Sequence, residues 1–163
     1  MLTGKLLAWA GMLDGSHVTC FPAYGAEMRG GTANCTVIIS GDEIGSPVVD
    51  RPAALIALNQ ASADKFTTKV ARGGAVFLNT SLVKTEIKKP GLKIFKIPAN
   101  EIAAGLGSVR AVNMVMLGAY LKYSGAASLK SVAKAMDENL SARNKHLLSV
   151  NMAALEKGFS MVA

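Results

Sequence analysis

Residues 109–123, VRAVNMVMLGAYLKY, are apolar around almost the whole circumference of a helix, broken only by Arg110, Asn113 and Gly118 among the first thirteen. A helix with no polar face must be covered on several sides. The chain therefore has to place other elements around this one, which demands a layered fold with a core. At 163 residues, half of them apolar and 18% charged, it has material for one such domain and is not a disordered chain. Part of the burial is expected against other chains, because permanent complexes have core-like interfaces. No run reaches the roughly eighteen uninterrupted apolar residues of a membrane span, so no membrane partner is expected. The N-terminus lacks the basic, apolar and small-residue order of a secretory signal. The chain reads as cytoplasmic.

Local patterns fill in the rest. Leu2, Leu6, Trp9, Ala10 and Leu13 recur at helical spacing, with Gly15 placed to stop the helix. Residues 17–22 read as a short strand, 23–34 as an irregular Gly-rich stretch, and 35–40 (CTVIIS) as a buried strand. A turn at Gly41, Asp42 and Glu43 leads into residues 44–49. Residues 54–58 form a further strand, and 62–70 a helix with Ser62 as N-cap. Gly73 and Gly74 open the strand 75–79, and 93–97 alternates before Pro98. A short helix at 100–106 precedes the apolar helix. Two stripes close the chain: Leu129, Val132, Ala133, Met136 and Leu140 behind a Ser128 cap, then Leu148, Met152, Leu155, Phe159 and Val162. Strands mixed with helices, followed by helices alone, predict an α/β fold, namely a three-layer α/β/α domain with a helical C-terminal section spanning 1–163. A fold of this kind normally begins with a buried strand, whereas this chain begins in a helix.

The chemistry available is limited. Cys20 and Cys35 fit a reducing compartment, form no disulfide framework, and are too few for an iron–sulfur cluster. With only His17 and His146 added, no zinc site has a ligand set, so no metal is expected on this chain. His17 reads as structural, His146 as a surface helix residue, and Cys35 as a buried thiol. No nucleophile–histidine arrangement can be assembled, so no catalytic residue is assigned. The net charge of +7 includes Lys84, Lys88, Lys89, Lys93 and Lys96 within thirteen residues. Only Phe95 is near enough to stack on a base, so nucleic acid is not expected. A solvated strand edge, or a contact with an acidic protein or a phosphate-bearing cofactor, remains open for this run. Asn59–Gln60 and Asn79–Thr80–Ser81, at strand ends, either line a ligand crevice or cap the next helix.

The segment FPAYGAEMRGGTANC, residues 21–35, resembles the signature of gamma subunits or gamma domains of 2-oxoacid:ferredoxin oxidoreductases. Further stretches agree with that family in order and spacing: IGSP at 44–47, LIALNQ at 55–60, GGAVFLN at 73–79, VNMVMLGA at 112–119 and LEKG at 155–158. The likeness covers nearly the whole chain. It implies an enzyme that oxidatively decarboxylates a 2-oxoacid, passes electrons to ferredoxin and transfers the acyl group to coenzyme A. It also implies alpha and beta partner subunits, with a small delta ferredoxin-like subunit in some members, which carry thiamine diphosphate, magnesium and the iron–sulfur clusters. This chain would be a non-catalytic subunit near the coenzyme A region. The Glu-Met-Arg-Gly-Gly form looks more like 2-oxoglutarate or branched-chain enzymes than pyruvate enzymes. The family's first strand and its Gly-Gly-Gln-Gly turn would precede Met1, so the first strand of the fold is expected to be missing from the N-terminus.

The resemblance singles out Tyr24, Glu27, Met28, Arg29, Gly30, Gly31, Thr32 and Asn34 as cofactor-binding candidates. Gly30 and Gly31 allow backbone N–H groups to converge on an anion. Arg29 can add a bidentate contact to a phosphate or carboxylate. Thr32 and Asn34 supply neutral hydrogen bonds, and Glu27 can orient Arg29 or pair with a neighbouring subunit. Cofactor contact, subunit docking and a plain turn all remain open for Arg29-Gly30-Gly31. Two other functions compete: a scaffold subunit touching no cofactor, and a stand-alone Rossmann-like phosphate binder. Neither a Gly-x-Gly-x-x-Gly nor a Walker-type loop supports the latter.

Overall fold

In the computed structural model the structure describes residues 1–24, 32–139 and 142–162, the side chains of 142–144 excepted. The helices are α1 (Leu2–Leu13), α2 (Gln60–Phe66), α3 (Ala99–Gly105), α4 (Val112–Ser124), α5 (Leu129–Asn139) and α6 (Leu148–Ser160). The strands are β1 (His17–Ala23), β2 (Asn34–Ser40), β3 (Ala54–Ala57), β4 (Ala75–Asn79) and β5 (Lys93–Ile97). The chain is mixed α/β with a helical C-terminal part, as the sequence predicts. Its contacts divide into two compact units: Met1–Val49 with Ser124–Leu148, and Asp50–Tyr123 with Ser149–Ala163.

In the first unit β1 and β2 form an antiparallel ladder running from His17↔Ser40 to Ala23↔Asn34. Pro22 sits within it, which an edge strand tolerates because one of its sides needs no N–H donor. Helix α1 lies close on one face of this hairpin, and two glycines one heptad apart make the approach possible. A Cβ at Gly4 would stand 2.5 Å from Cys35 Sγ, and one at Gly11 would stand 3.1 Å from both Ile39 Cδ1 and Val18 Cγ2. The buried strand expected at 35–40 is half-buried along its whole length. The reason is that its sheet holds only β1 and β2 among the described residues, so no neighbouring strand covers the outer edge of either. Residues 44–49 join no sheet; Ser40 and Ser46 hydroxyls instead accept from the N–H groups of Asp42 and Val48.

Helix α1 stops where Gly15 takes φ +83°, with its N–H donating to the Met12 carbonyl and the Ser16 N–H to the Gly11 carbonyl. That double closure satisfies two terminal carbonyls and suits a residue without a Cβ. The same corner holds α5. Ser128 caps α5 by accepting from Ser131 N–H at 3.1 Å, and the Asp14 carboxylate accepts from Ser128 N–H at 2.7 Å and from the Ser131 hydroxyl. Trp9 Nε1 donates to Glu138 at 2.9 Å further along the pair of helices. The hydroxyl of Ser131 foremost, then the Ser128 N–H, hold the Asp14 carboxyl below its ordinary value of 3.8. A depressed carboxylate stabilises the folded state above its unfolded pKa and loses that contribution as the pH falls through the folded value. Because Asp14 is exposed, solvent screens the effect. Asp14→Asn is expected to cost about 0.5–1 kcal/mol near neutrality and nothing further in acid. Thermal melts of the two proteins should therefore converge as pH falls below about 4; parallel curves would show that Asp14 does not hold α5 as a charge.

The second unit is built on a parallel sheet ordered β3-β4-β5. Every residue of β4 is buried, as a central parallel strand requires. Alternation sends Val76 and Leu78 to one face, where they pack with Ala57, Ala63, Val70 and Val83. Phe77 faces the other way, stacked on Phe95 of β5 at 4.7 Å and edge-on to Tyr120 and Tyr123 of α4. With α2 on one face and α4 on the other, this unit has the expected three layers. Helix α4 is buried at Met114, Val115, Met116, Leu117, Gly118, Ala119 and Leu121, which is the all-round burial that its composition demands. Helix α6 supplies part of that cover. A Cβ at Gly118 would lie 1.9 Å from the Leu155 carbonyl oxygen, and one at Gly158 would lie 1.9 Å from that of Val115. The two helices meet backbone against backbone.

Helix α2 starts two residues earlier than predicted. Asn59, extended at φ −146°, accepts from Ser62 N–H at 2.9 Å, so Asn59 and not Ser62 is the N-cap. The regular helix ends at Phe66 and continues as a tighter turn over Thr67–Lys69. No helix among the described residues is long and apolar enough to cross a membrane.

Candidate functional site

The described ends of the signature segment lie at the connecting end of the β1–β2 hairpin. Ala23↔Asn34 is the last pair of the ladder, so the chain leaves β1 at Tyr24 and returns to β2 through Thr32 and Ala33. Tyr24 projects into solvent at 73% exposure, while Thr32 and Asn34 are half-buried. The structure thus brings three of the eight candidates, Tyr24, Thr32 and Asn34, to one end of one hairpin. Glu27, Met28, Arg29, Gly30 and Gly31 lie outside the described residues. An aromatic ring and two short polar side chains can hold a nucleotide or its pantetheine arm through stacking and neutral hydrogen bonds.

Just inside the ladder stands a pair that the sequence reading missed. Cys20 and Cys35 bring their sulfurs to 3.3 Å. Cys35 is half-buried and Cys20 exposed, so Cys35 is not the fully buried thiol expected. Burial first, then the hydrogen bond with Cys20, push the Cys35 thiol up to about 11. The signal was available: once the hairpin closes at Ala23↔Asn34, alternation puts Cys20 and Cys35 on the same face, diagonally apart.

The other candidates are occupied by the fold. Asn79, fully buried at the carboxyl end of β4, donates to the Leu58 carbonyl at 3.1 Å and to Asn100 Oδ1 at 2.8 Å, and its own oxygen accepts from Ala99 N–H at 3.2 Å. Ser81 accepts from Asn100 N–H at 3.0 Å and donates to Glu101. Gln60 Oε1 accepts from the N–H groups of Lys84 and Thr85. These side chains cap α3 and fasten loops, so of the two roles open at these strand ends the structure shows the capping one. The lysine run is not one strand edge either. Lys93 and Lys96 are exposed on β5, but Lys89 donates to the Thr68 and Val70 carbonyls and Lys84 to that of Thr80. Three of these five residues lie before β5, where the chain is irregular. His17 and His146 are both at the surface. Among the described residues no three His, Cys, Asp or Glu side chains are grouped to hold a metal.

The family model described as pyruvate ferredoxin/flavodoxin oxidoreductase matches residues 1–161. Over 157 residues the chain is 40% identical to ketoisovalerate oxidoreductase subunit VorA of Methanothermobacter marburgensis, covering 95% of this chain and 32% of that one. It therefore spans about a third of that relative's length. The solved gamma subunit of a keto/oxoacid ferredoxin oxidoreductase from Geobacter sulfurreducens superposes with a TM-score of 0.84 at 26% identity, covering 98% of this chain and 89% of that one. The same fold occurs in 2-oxoglutarate:ferredoxin oxidoreductase from Magnetococcus marinus, solved with 2-oxoglutarate, coenzyme A and succinyl-CoA bound. The TM-score there is 0.88 at 23% identity, over 99% of this chain and 28% of that one.

Proposed function

The chain belongs to the pyruvate ferredoxin/flavodoxin oxidoreductase family, and on that premise we propose that it serves as the gamma-type subunit of a 2-oxoacid:ferredoxin oxidoreductase. The observation that carries the reading is the 40% identity to a ketoisovalerate oxidoreductase subunit over 95% of this chain. The enzyme would convert a 2-oxoacid of branched-chain or 2-oxoglutarate type to its acyl-CoA in the cytoplasm. Thiamine diphosphate with magnesium would supply the decarboxylation, and iron–sulfur clusters the path to ferredoxin, all on partner alpha, beta and delta-type subunits. Two cysteines cannot ligate such a cluster unaided.

This chain's own contribution would be to bind and orient. Residues 24–34 would face the coenzyme A region, with Arg29 against a phosphate, Gly30 and Gly31 offering N–H groups, and Tyr24, Thr32 and Asn34 framing the loop from its base. The presence of coenzyme A in the Magnetococcus marinus enzyme, which contains this fold, supports that placement.

Two measurements test the proposal. Native purification followed by mass spectrometry should recover this chain with a thiamine-binding partner; a monodisperse monomer that binds nucleotide alone would overturn the subunit reading. In the intact complex, Arg29→Ala should raise KM for coenzyme A about ten- to a hundredfold, the worth of one charge-assisted hydrogen bond, with little change in kcat. An unchanged KM in an intact complex would leave Arg29 a docking residue.

A further inference from the structure

We propose that Cys20 and Cys35 are a redox couple, a cross-strand dithiol that oxidises reversibly to an intramolecular disulfide near the Ala23↔Asn34 end of the ladder. The inference stands on this chain's geometry and does not depend on the coenzyme A assignment.

Proximity is the first ground. The sulfurs are already 3.3 Å apart, and a disulfide needs them at about 2.05 Å. Little more than 1 Å of approach remains. The second ground is where that approach can come from. The pair lies diagonally across the ladder, Cys20 opposite Val37 and Cys35 opposite Pro22. Diagonal neighbours are more widely spaced than directly opposed ones, so the strands must shift slightly to close the bond. Pro22 has no N–H to give the ladder, and the register ends one pair further on at Ala23↔Asn34. Near Pro22 the ladder thus has one N–H donor fewer than a strand without proline would supply.

The third ground is an asymmetry that sets the order of events. Cys20 is exposed and Cys35 is half-buried under α1, where Gly4 leaves room for its sulfur and any Cβ would come within 2.5 Å of it. Cys20 is thus the entry point for an oxidant of the small-molecule disulfide class. Its thiolate attacks one sulfur of RSSR, releasing RS⁻ and leaving a mixed disulfide on Cys20. Cys35 then loses its proton to solvent and attacks the Cys20 sulfur, expelling the second RS⁻. Two protein thiols lose two electrons, the small disulfide gains them, and two RSH leave. Burial, the largest cause that raises the Cys35 thiol, still acts once Cys20 is a mixed disulfide, so thiolate is scarce at Cys35 and the second step is slow. Reduction by attack at Cys20 must expel that same poor leaving group. The couple changes state slowly in both directions, which is compatible with a reducing compartment where a permanent disulfide is not.

The test uses the full chain and oxidised glutathione as the probe. After incubation and quenching with an alkylating agent, intact mass should show a monomer about 2 Da lighter than the reduced chain, with both cysteines protected and both recovered by a dithiol reductant. Cys35→Ser should stop at a glutathione adduct on Cys20, and Cys20→Ser should leave Cys35 largely unmodified on the same timescale. If the wild type also accumulates the Cys20 adduct without losing it to the bond, or if both cysteines remain alkylatable, the couple does not exist. A disulfide that links two chains would equally overturn it. Cysteine-to-serine changes alter one atom, and circular dichroism of each variant separates a failure to react from a failure to fold.

Discussion

Gly158→Ala is expected to lower the stability of the second unit by about 3 kcal/mol or more, because the new methyl group meets backbone instead of a side chain. Its Cβ would lie 1.9 Å from the Val115 carbonyl oxygen and 2.7 Å from the Val115 carbonyl carbon. A side chain in the way can rotate aside, but a carbonyl inside α4 cannot move without shifting the helix. Two effects oppose each other. Alanine is better than glycine inside a helix by about 1 kcal/mol, whereas overpacking a helix crossing typically costs 1–3 kcal/mol and more when backbone is forced apart. The clash wins. Gly118→Ala should behave alike, since its Cβ would meet the Leu155 carbonyl oxygen at the same 1.9 Å. Gly105→Ala is the control. It lies in α3 with nothing within 4 Å of the added carbon, and should be neutral or slightly stabilising. Thermal melts are expected to separate the two classes by about 10 °C. Equal melting temperatures for all three would mean that α4 and α6 are not in backbone contact.

The second large effect is expected at Asn79. Its side chain is fully buried and makes three hydrogen bonds, to the Leu58 carbonyl, to Asn100 and from the Ala99 N–H. Asn79→Leu keeps roughly the volume and removes all three partners at once. Each buried group left unpaired costs about 1–3 kcal/mol, so a loss of about 3–4 kcal/mol is expected even after some rearrangement. Asn79→Asp should not rescue it. An aspartate can still accept from Ala99 N–H, but its second oxygen would face the Leu58 carbonyl and Asn100 Oδ1, two acceptors, in a buried site. Hydrogen exchange would localise the damage, with the Ala99 and Asn100 amides losing protection first. If exchange there matches the wild type while global stability falls, Asn79 is a packing residue and the polar network adds nothing.

Much of this fold is legible in residue order because local chemistry and tertiary context agree. Gly15 stops α1 by the mechanism its position suggests, Ser128 caps α5, and the buried strand 75–79 is where its composition puts it. Where the reading slips, two local signals compete. Ser62 and Asn59 are both good caps, and the choice falls to Asn59 because its backbone is extended at the end of β3. The half-burial of β2 was not legible, since β-branched composition reports packing on the faces and says nothing about how many neighbours the sheet will have. The Cys20–Cys35 approach required a register, which sequence spacing alone does not give. The signature segment is the reverse case. Its identity is read from residues 21–35 directly, while the placement of five of its eight candidates rests on the sequence.

The division of the chain into interleaved units has a consequence for its synthesis. The segment with α1, β1 and β2 is complete at Ser40, but its partner helix α5 comes only at Leu129–Asn139. The sheet of the second unit is likewise complete at Ile97, but α6, which seals α4, follows only after α5 has emerged. At typical elongation rates of about 5–20 residues per second, both cores wait several seconds with an apolar face uncovered. Nascent chains of this protein should accordingly be clients of a holding chaperone until α6 is out, however fast each unit folds once its last helix arrives.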